Sequence, residues 1–198
     1  DNRISVFHER NGGYGHAVNK GLEKATGEYI GIVESDDYIA PDMFHKFARD
    51  IETFNNEVDV VKYSYTRLSK DEKNHRKLFE ECMCEKVISP KEYMDLFRVQ
   101  CSVWSAVYRK QFLTDNHIIF LETPGASFQD MAFSFKVFCR AKNIVLSNDS
   151  IYFYRTNNVE SSVHSSQKAL CVCDEIREID AYISRLNVAS SFVINARY

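Results

Sequence analysis

The sequence predicts an α/β protein whose strand ends carry the chemistry, and three observations predict it. The run Tyr29–Val33 is apolar and stops abruptly at Glu34, Asp36 and Asp37, as a buried strand does where it leaves its sheet. Ahead of it lie a short strand pattern at Ile4–His8, a glycine-rich turn at Asn11–Gly15 and a helical pattern at Ala17, Val18, Gly21, Leu22 and Ala25. Behind it, Pro41–Phe54 has helical spacing and Val58–Tyr65 alternates as a strand, so the two element types follow one another along the chain.

Each element has its own warrant. Glycines in Asn11–Gly15 permit a tight turn, and the helix N-terminus behind it is a place where an anion can sit. Gly27 is the expected stop of that helix. Pro41 suits a first helical turn, and Phe44, Phe47, Ala48 and Ile51 fall on one face of the helix it opens. The strand at Val58–Tyr65 shifts its alternation midway, which predicts an irregularity. Thr66–Arg76 is charged and reads as an exposed excursion. Ser89–Pro90–Lys91–Glu92 is a capping box that predicts a helix to about Arg98.

Cys101–Leu113 carries the single tryptophan, Trp104, with Val107, Tyr108, Phe112 and Leu113 around it. Core packing and the wall of a binding site are both open for Trp104 and Tyr108. Leu121–Gln129 is a loop by composition and leads into an apolar helix at Asp130–Phe138, where Asp130 reads as a cap or dipole partner. Ile144–Leu146 and Ile151–Tyr154 predict a short strand pair. Arg155–Ser166 is a polar loop, and Leu170, Ile176, Ile179, Ile183 and Leu186 form a helical stripe.

Composition excludes several function classes. A net charge of −3 leaves no basic surplus for neutralising phosphates, so nucleic acid is not the expected partner. No apolar run is long enough to span a bilayer as a helix. The six cysteines include two Cys-x-Cys pairs, which lack the two-residue gap of zinc knuckles, so reduced and mostly buried thiols are expected. The start at Asp1, directly before an apolar segment, suggests a piece of a longer protein.

The acidic turn is the chemical centre of the reading. Carboxylates this close repel one another unless a cation or shared protons neutralise them. Hard oxygen ligands beside a phosphate are the usual way to hold magnesium or manganese. The other reading is a turn that merely caps the next helix.

Asn11-Gly-Gly-Tyr-Gly-His-Ala-Val-Asn-Lys-Gly21, Ala25-Thr-Gly-Glu-Tyr-Ile30 and Glu34-Ser-Asp-Asp-Tyr38, in this order, resemble glycosyltransferase family 2. Val103-Trp-Ser-Ala-Val-Tyr108, Gln129-Asp130, and Tyr152-Phe-Tyr-Arg155 followed by Ser161-Ser-Val163 resemble its bacterial, non-processive members. The resemblance implies a GT-A fold, a Rossmann-like mixed sheet flanked by helices. The domain would cover residues 1–165, with the nucleotide-sugar and metal part at about 1–65, the acceptor part at about 66–165, and a helical extension at 166–198. It also implies that a first strand–helix–strand unit is absent from this chain.

By the same resemblance the reaction is inverting transfer of a sugar from a nucleotide-diphosphate donor to an acceptor hydroxyl. Asp130 would be the catalytic base. Mg²⁺ or Mn²⁺ would sit on Asp36 and Asp37, and Glu34, Asp36, Asn11, Gly12, Trp104 and Arg155 would face substrate. Asn11 and Asn19 read as fixing the turn and helix rather than touching the donor, and Ser162 and His164 as joining Arg155 in a loop closing over the diphosphate. The implied partners are a nucleotide-sugar donor and a saccharide or lipid-linked saccharide acceptor. A cytoplasmic place at the inner membrane face and a homodimer are compatible with it. Three positions depart from the family pattern: Glu34 stands for the usual Asp, Gln129 for the usual Glu, and Val18 for a common Arg.

Overall fold

The computed structural model describes residues 1–55, 57–70, 72–125, 128–156 and 171–186. Seven strands form one mixed sheet. They are β1 (Tyr29–Gly31), β2 (Tyr38–Ile39), β3 (Val60–Leu68), β4 (Lys73–Arg76), β5 (Val87–Ile88), β6 (Ala106–Arg109) and β7 (Ile144–Arg155). The order is β1-β6-β3-β7-β2, with β4 added to β3 and β5 to β7. β3 and β7 run parallel at the centre, and the other pairs are antiparallel. Val60, Val61, Tyr63, Ile144, Val145 and Leu146 are nearly inaccessible, as the near-continuous apolar runs of two-sided central strands require.

Helices α1 (Tyr14–Lys24), α2 (Met43–Thr53), α3 (Lys110–Asp115), α4 (Gln129–Arg140) and α5 (Cys171–Leu186) surround the sheet. Helix α2 buries Met43, Phe47 and Ile51, while Phe44 is 65% exposed and Ala48 is also exposed. Phe47 and Ile51 of the expected face are thus buried, and Met43 completes the i, i+4 stripe in place of Phe44 and Ala48. Asp59 is buried at the foot of the sheet, where it pairs with Arg109 and accepts the Lys142 and Asn143 amides. A buried carboxylate is tolerated there because each oxygen is satisfied.

Other expectations change. Residues 4–8 form no strand: Ile4, Val6 and Phe7 are 69%, 71% and 55% exposed, and among the described residues β1 pairs only with β6. A strand pattern without a neighbouring ladder has nothing to hold it. Helix α1 ends at Lys24 and is capped by Ala25, not Gly27. The described residues 67–76 are exposed or part-exposed as expected, but they are ordered as a hairpin, since β3 continues to Leu68 and turns back as β4. The capping box at Ser89 gives a turn and then a 3₁₀ helix, Met94–Arg98, in place of an α-helix.

The two strands expected after Asn143 are one, β7, with register shifts opposite Ser64. The irregularity expected within β3 falls at the same point. Of the six thiols only Cys139 is buried, and Cys82 is exposed. Residues 161–164 and Leu170, expected to serve a loop and the last helix, lie outside the described residues.

Candidate active site

Two hydroxyls and one amide fix the acidic turn between β1 and β2. Tyr152 on β7 accepts the Glu34 amide at 3.0 Å and donates to Asp37 Oδ2 at 2.8 Å. The Arg155 amide donates to Asp37 Oδ1 at 2.8 Å. Pairing of Tyr38 with Phe153 and Ile39 with Tyr152 places the turn over the end of β7, which explains this reach. From the other side, Tyr14 at the start of α1 donates to Glu34 Oε1 at 2.6 Å.

These bonds act on crowded, partly desolvated acids. Burial raises Glu34 above the ordinary carboxylate range; the Tyr14 bond opposes this, and the charges of Asp37, Asp36 and Asp130 add to it. Burial also raises Asp37, against the pull of the Arg155 amide and the Tyr152 hydroxyl. Asp130, almost a hundred residues away in sequence, is thus close enough for its charge to act on Glu34 and on Tyr14. The fold brings the turn and the start of α4 to one site.

Asp130 is the second residue of α4 and lies in the first turn. Phe128 before it holds a left-handed backbone, φ 64°, uncommon for an aromatic residue, and is 45% exposed. Burial pushes the Asp130 carboxyl up to about 6, opposed by its own amide, the charge of Lys62 and the Met131 amide. Lys62, on β3, is 3% exposed and donates to Ser102 O at 2.8 Å, Ser102 Oγ at 3.1 Å and Ser105 Oγ at 3.3 Å. Burial pulls its ammonium down to about 8, with the charges of Cys101 and Asp130 acting the other way.

The remaining predicted residues fall in different places. Asn11 Oδ1 accepts the Gly13 amide at 3.1 Å, and the Tyr14 amide donates to Gly125 O at 2.8 Å. Those two donors are committed to the fold. A Cβ on Gly13, φ 88°, would stand 2.4 Å from the Thr123 carbonyl oxygen, which is why glycine is required there. Gly12 is exposed and packs on the His16 ring. Asn19 bonds both the amide and the carbonyl of Phe120.

Trp104 is a core residue, 8% exposed. It stacks on Tyr152 and Tyr154 with centroids 4.5 and 5.2 Å apart. It backs the tyrosine that holds the turn and offers no open face to a sugar. Tyr108 is likewise internal, donating to Val103 O at 3.0 Å. Gln129 is 2% exposed and donates to Thr123 Oγ1 at 3.0 Å, so the departure from Glu ties the preceding loop to α4.

Arg155 lies over the Tyr38 ring, 5.3 Å from its centroid. Both line an open cleft of about 400 Å³ with Leu68, Ser69, Lys70, Glu72 and Lys73, next to the acidic turn.

Among the described residues no three His, Cys, Asp or Glu side chains are arranged as a metal cage. The donor set instead fits a magnesium-type ion held by one or two carboxylates and completed by phosphate and water. Both Asp37 oxygens already accept hydrogen bonds from the fold, which makes Asp37 a holder of the turn. Half-exposed Asp36 remains the ligand candidate. Sequence reasoning missed Tyr14, Lys62 and the job of Tyr152. A lysine inside the apolar run Val58–Tyr65 was the one signal available for Lys62.

A profile described as Glycosyl transferase family 2 matches residues 1–139. EpsH of Bacillus subtilis is 30% identical over 175 residues, covering 86% of this chain and 49% of the relative. EpsJ of the same organism is 28% identical over 163 residues, covering 79% and 46%. The chain thus spans about half the length of these curated relatives. The crystal structure of Staphylococcus aureus TarS 1–349 in complex with UDP-GlcNAc superposes with a TM-score of 0.74 at 22% identity, covering 96% of this chain and 52% of that one. Profile, relatives and architecture agree, and the chain belongs to glycosyltransferase family 2, with the GT-A fold.

Proposed function

We propose that this chain is the metal- and acceptor-handling part of an inverting glycosyltransferase that uses a nucleotide-diphosphate sugar in bacterial cell-surface polysaccharide or glycan synthesis. The observation that carries it is the convergence of the acidic turn with Asp130, a desolvated acid whose pKa near 6 suits a base working near neutrality. Relatives support the substrate class: TarS is described as a poly(ribitol-phosphate) β-N-acetylglucosaminyltransferase and has been crystallised with UDP-GlcNAc. A hexose or N-acetylhexosamine is the matching donor sugar, and a saccharide or lipid-linked saccharide the matching acceptor.

In this reading the acceptor oxygen attacks the anomeric carbon. The bond from that carbon to the diphosphate oxygen breaks, and the nucleoside diphosphate leaves with the electron pair. Asp130 takes the acceptor's hydroxyl proton. Asp36 would hold Mg²⁺ or Mn²⁺, with Asp37 beside it. The ion supplies charge neutralisation at the diphosphate. Glu34, held by Tyr14, faces the same space, and Arg155 presents a cation beside it. The matching location is cytoplasmic, at the inner face of the membrane.

A second reading, a non-catalytic glycosyltransferase-like binding module, is favoured by Asp37 being committed to the fold and by Gln129 in the place of an acid. The full-length protein, incubated with Mn²⁺ and UDP-GlcNAc, separates the two by release of UDP. Release that needs Mn²⁺ and disappears in Asp36→Ala supports transfer. Tight glycan binding with no metal-dependent release across a donor panel supports the module.

A further inference from the structure

Helix α5 lies beyond the residues matched by the family profile, yet it is clamped along α4. Tyr182 packs with Phe135 and Cys139, and its hydroxyl accepts from Arg140 Nε at 3.0 Å. One turn nearer the site, Lys136 pairs with Glu178 at 2.7 Å. At the site end, Glu175 Oε2 accepts the backbone amide of Ala132 at 3.0 Å. The three α5 residues are spaced as one helix face, and they meet α4 at positions 132, 136 and 140, also one face.

Glu175 differs from the other two contacts. It is 1% exposed and reaches backbone, not a side chain. Its second oxygen, Oε1, is buried without a hydrogen-bond partner among the described residues. A helix clamp alone has no use for a buried carboxylate half unsatisfied, which is costly. The amide it holds belongs to the first turn of α4, two residues after Asp130. In that turn Met131 N already goes to Phe128 O at 2.9 Å, and the backbone enters through left-handed Phe128. Glu175 thus supplies an acceptor where the turn is irregular.

We propose that Glu175 is a positioning residue for Asp130: by accepting the Ala132 amide, it fixes the irregular first turn of α4 and so aims the Asp130 carboxyl at the acidic turn. The inference deepens the proposed function and rests on it for the catalytic consequence only. The charged and titratable groups acting on Glu175 are Asp130 and Lys136 from α4, Glu178 on its own helix, and Cys101 from the segment before Trp104.

The test uses the full chain labelled with ¹³C and ¹⁵N, with the Asp130 carboxyl carbon assigned by its loss in Asp130→Asn. Glu175→Gln keeps the acceptor oxygen and Glu175→Ala removes it. In Glu175→Ala the Asp130 midpoint is expected to fall from near 6 toward the ordinary range of about 4 as the turn loosens to water. The Ala132 amide should exchange at least about tenfold faster. Glu175→Gln should keep both near wild type, with UDP-releasing turnover intact. Turnover in Glu175→Ala should fall roughly 10- to 100-fold in kcat with donor KM unchanged.

An unmoved Asp130 midpoint and Ala132 exchange rate in a folded Glu175→Ala protein would overturn the proposal. So would a Glu175→Gln protein that behaves like Glu175→Ala. Full turnover in Asp130→Asn would instead remove the base assignment, and the two NMR readouts would still decide the positioning role.

Discussion

The acidic turn and the mouth of α4 both present carboxylates to one site; burial raises the acids in both, and they differ in what opposes it. Glu34 and Asp37 receive hydroxyl and amide donors from Tyr14, Tyr152 and Arg155, which oppose the effect of their burial. Among the described residues, Asp130 is opposed in its burial by the amides at its own helix start and the charge of Lys62, with no side-chain hydroxyl, and it rises to about 6. In the turn these bonds limit the rise that burial causes and hold the two acids in place. The mouth of α4 leaves an acid able to take a proton near neutral pH. Two environments thus separate two roles among chemically similar residues.

The sharpest way to break this comparison is Asp130→Asn. Sugar transfer by the full-length enzyme should fall by about 10²- to 10⁴-fold, while the affinity for nucleotide, read by titration calorimetry, stays within about twofold. Equal loss of both would mean that Asp130 serves the donor and that the two regions share one role. Asp36→Ala should show the opposite pattern. Turnover should drop by about 10²-fold, and the Mn²⁺ dependence of nucleotide binding should flatten. A metal response that persists unchanged would move the ion away from the turn.

A smaller effect is expected from Tyr152→Phe. The ring keeps its stacking on Trp104, but the Glu34 amide loses an acceptor and Asp37 a donor. Two half-buried partners left unpaired should lower stability by about 1–3 kcal/mol, read from urea unfolding, with turnover reduced because the turn is less well held. Unchanged stability would show that water replaces the hydroxyl fully and that the turn does not depend on the Tyr152 hydroxyl.

What the sequence made legible follows from range. The alternation of strands and helices, the acidic turn at the end of β1, the irregularity in β3 and Asp130 at a helix start are all local patterns, and the fold keeps them. Ile4–His8 misled because an alternating apolar run specifies a strand only if a neighbouring edge exists. Trp104 could not be assigned, since whether an aromatic faces core or cleft is decided by Tyr152 and Tyr154 some fifty residues later.

The polar partners were the least legible part. Tyr14, Lys62 and Glu175 reach the site through packing between distant elements, and no spacing in the chain encodes those contacts. Tyr152 stood inside a recognised motif, but its task became visible only once β2 lay beside β7.

The smallest expected effect tests the comparison without any substrate. An acid raised to about 6 in the folded chain and near 3.9 when unfolded is bound to its proton more firmly in the folded state. Between those values the native protein carries the extra proton, so the contribution of Asp130 to stability declines as pH rises from about 4 to 6. Above 6 the ionised, desolvated carboxylate opposes folding. Asp130→Asn carries no such charge at any pH. Its melting temperature should therefore exceed that of wild type by a few degrees, on the order of 2–4 °C for each kcal/mol relieved, at pH 7.5. The gap should shrink below pH 6 and close near pH 4. A variant less stable than wild type at pH 7.5, with no pH trend, would show that Asp130 is held by satisfied hydrogen bonds as Asp37 is. The contrast between the two regions would then collapse.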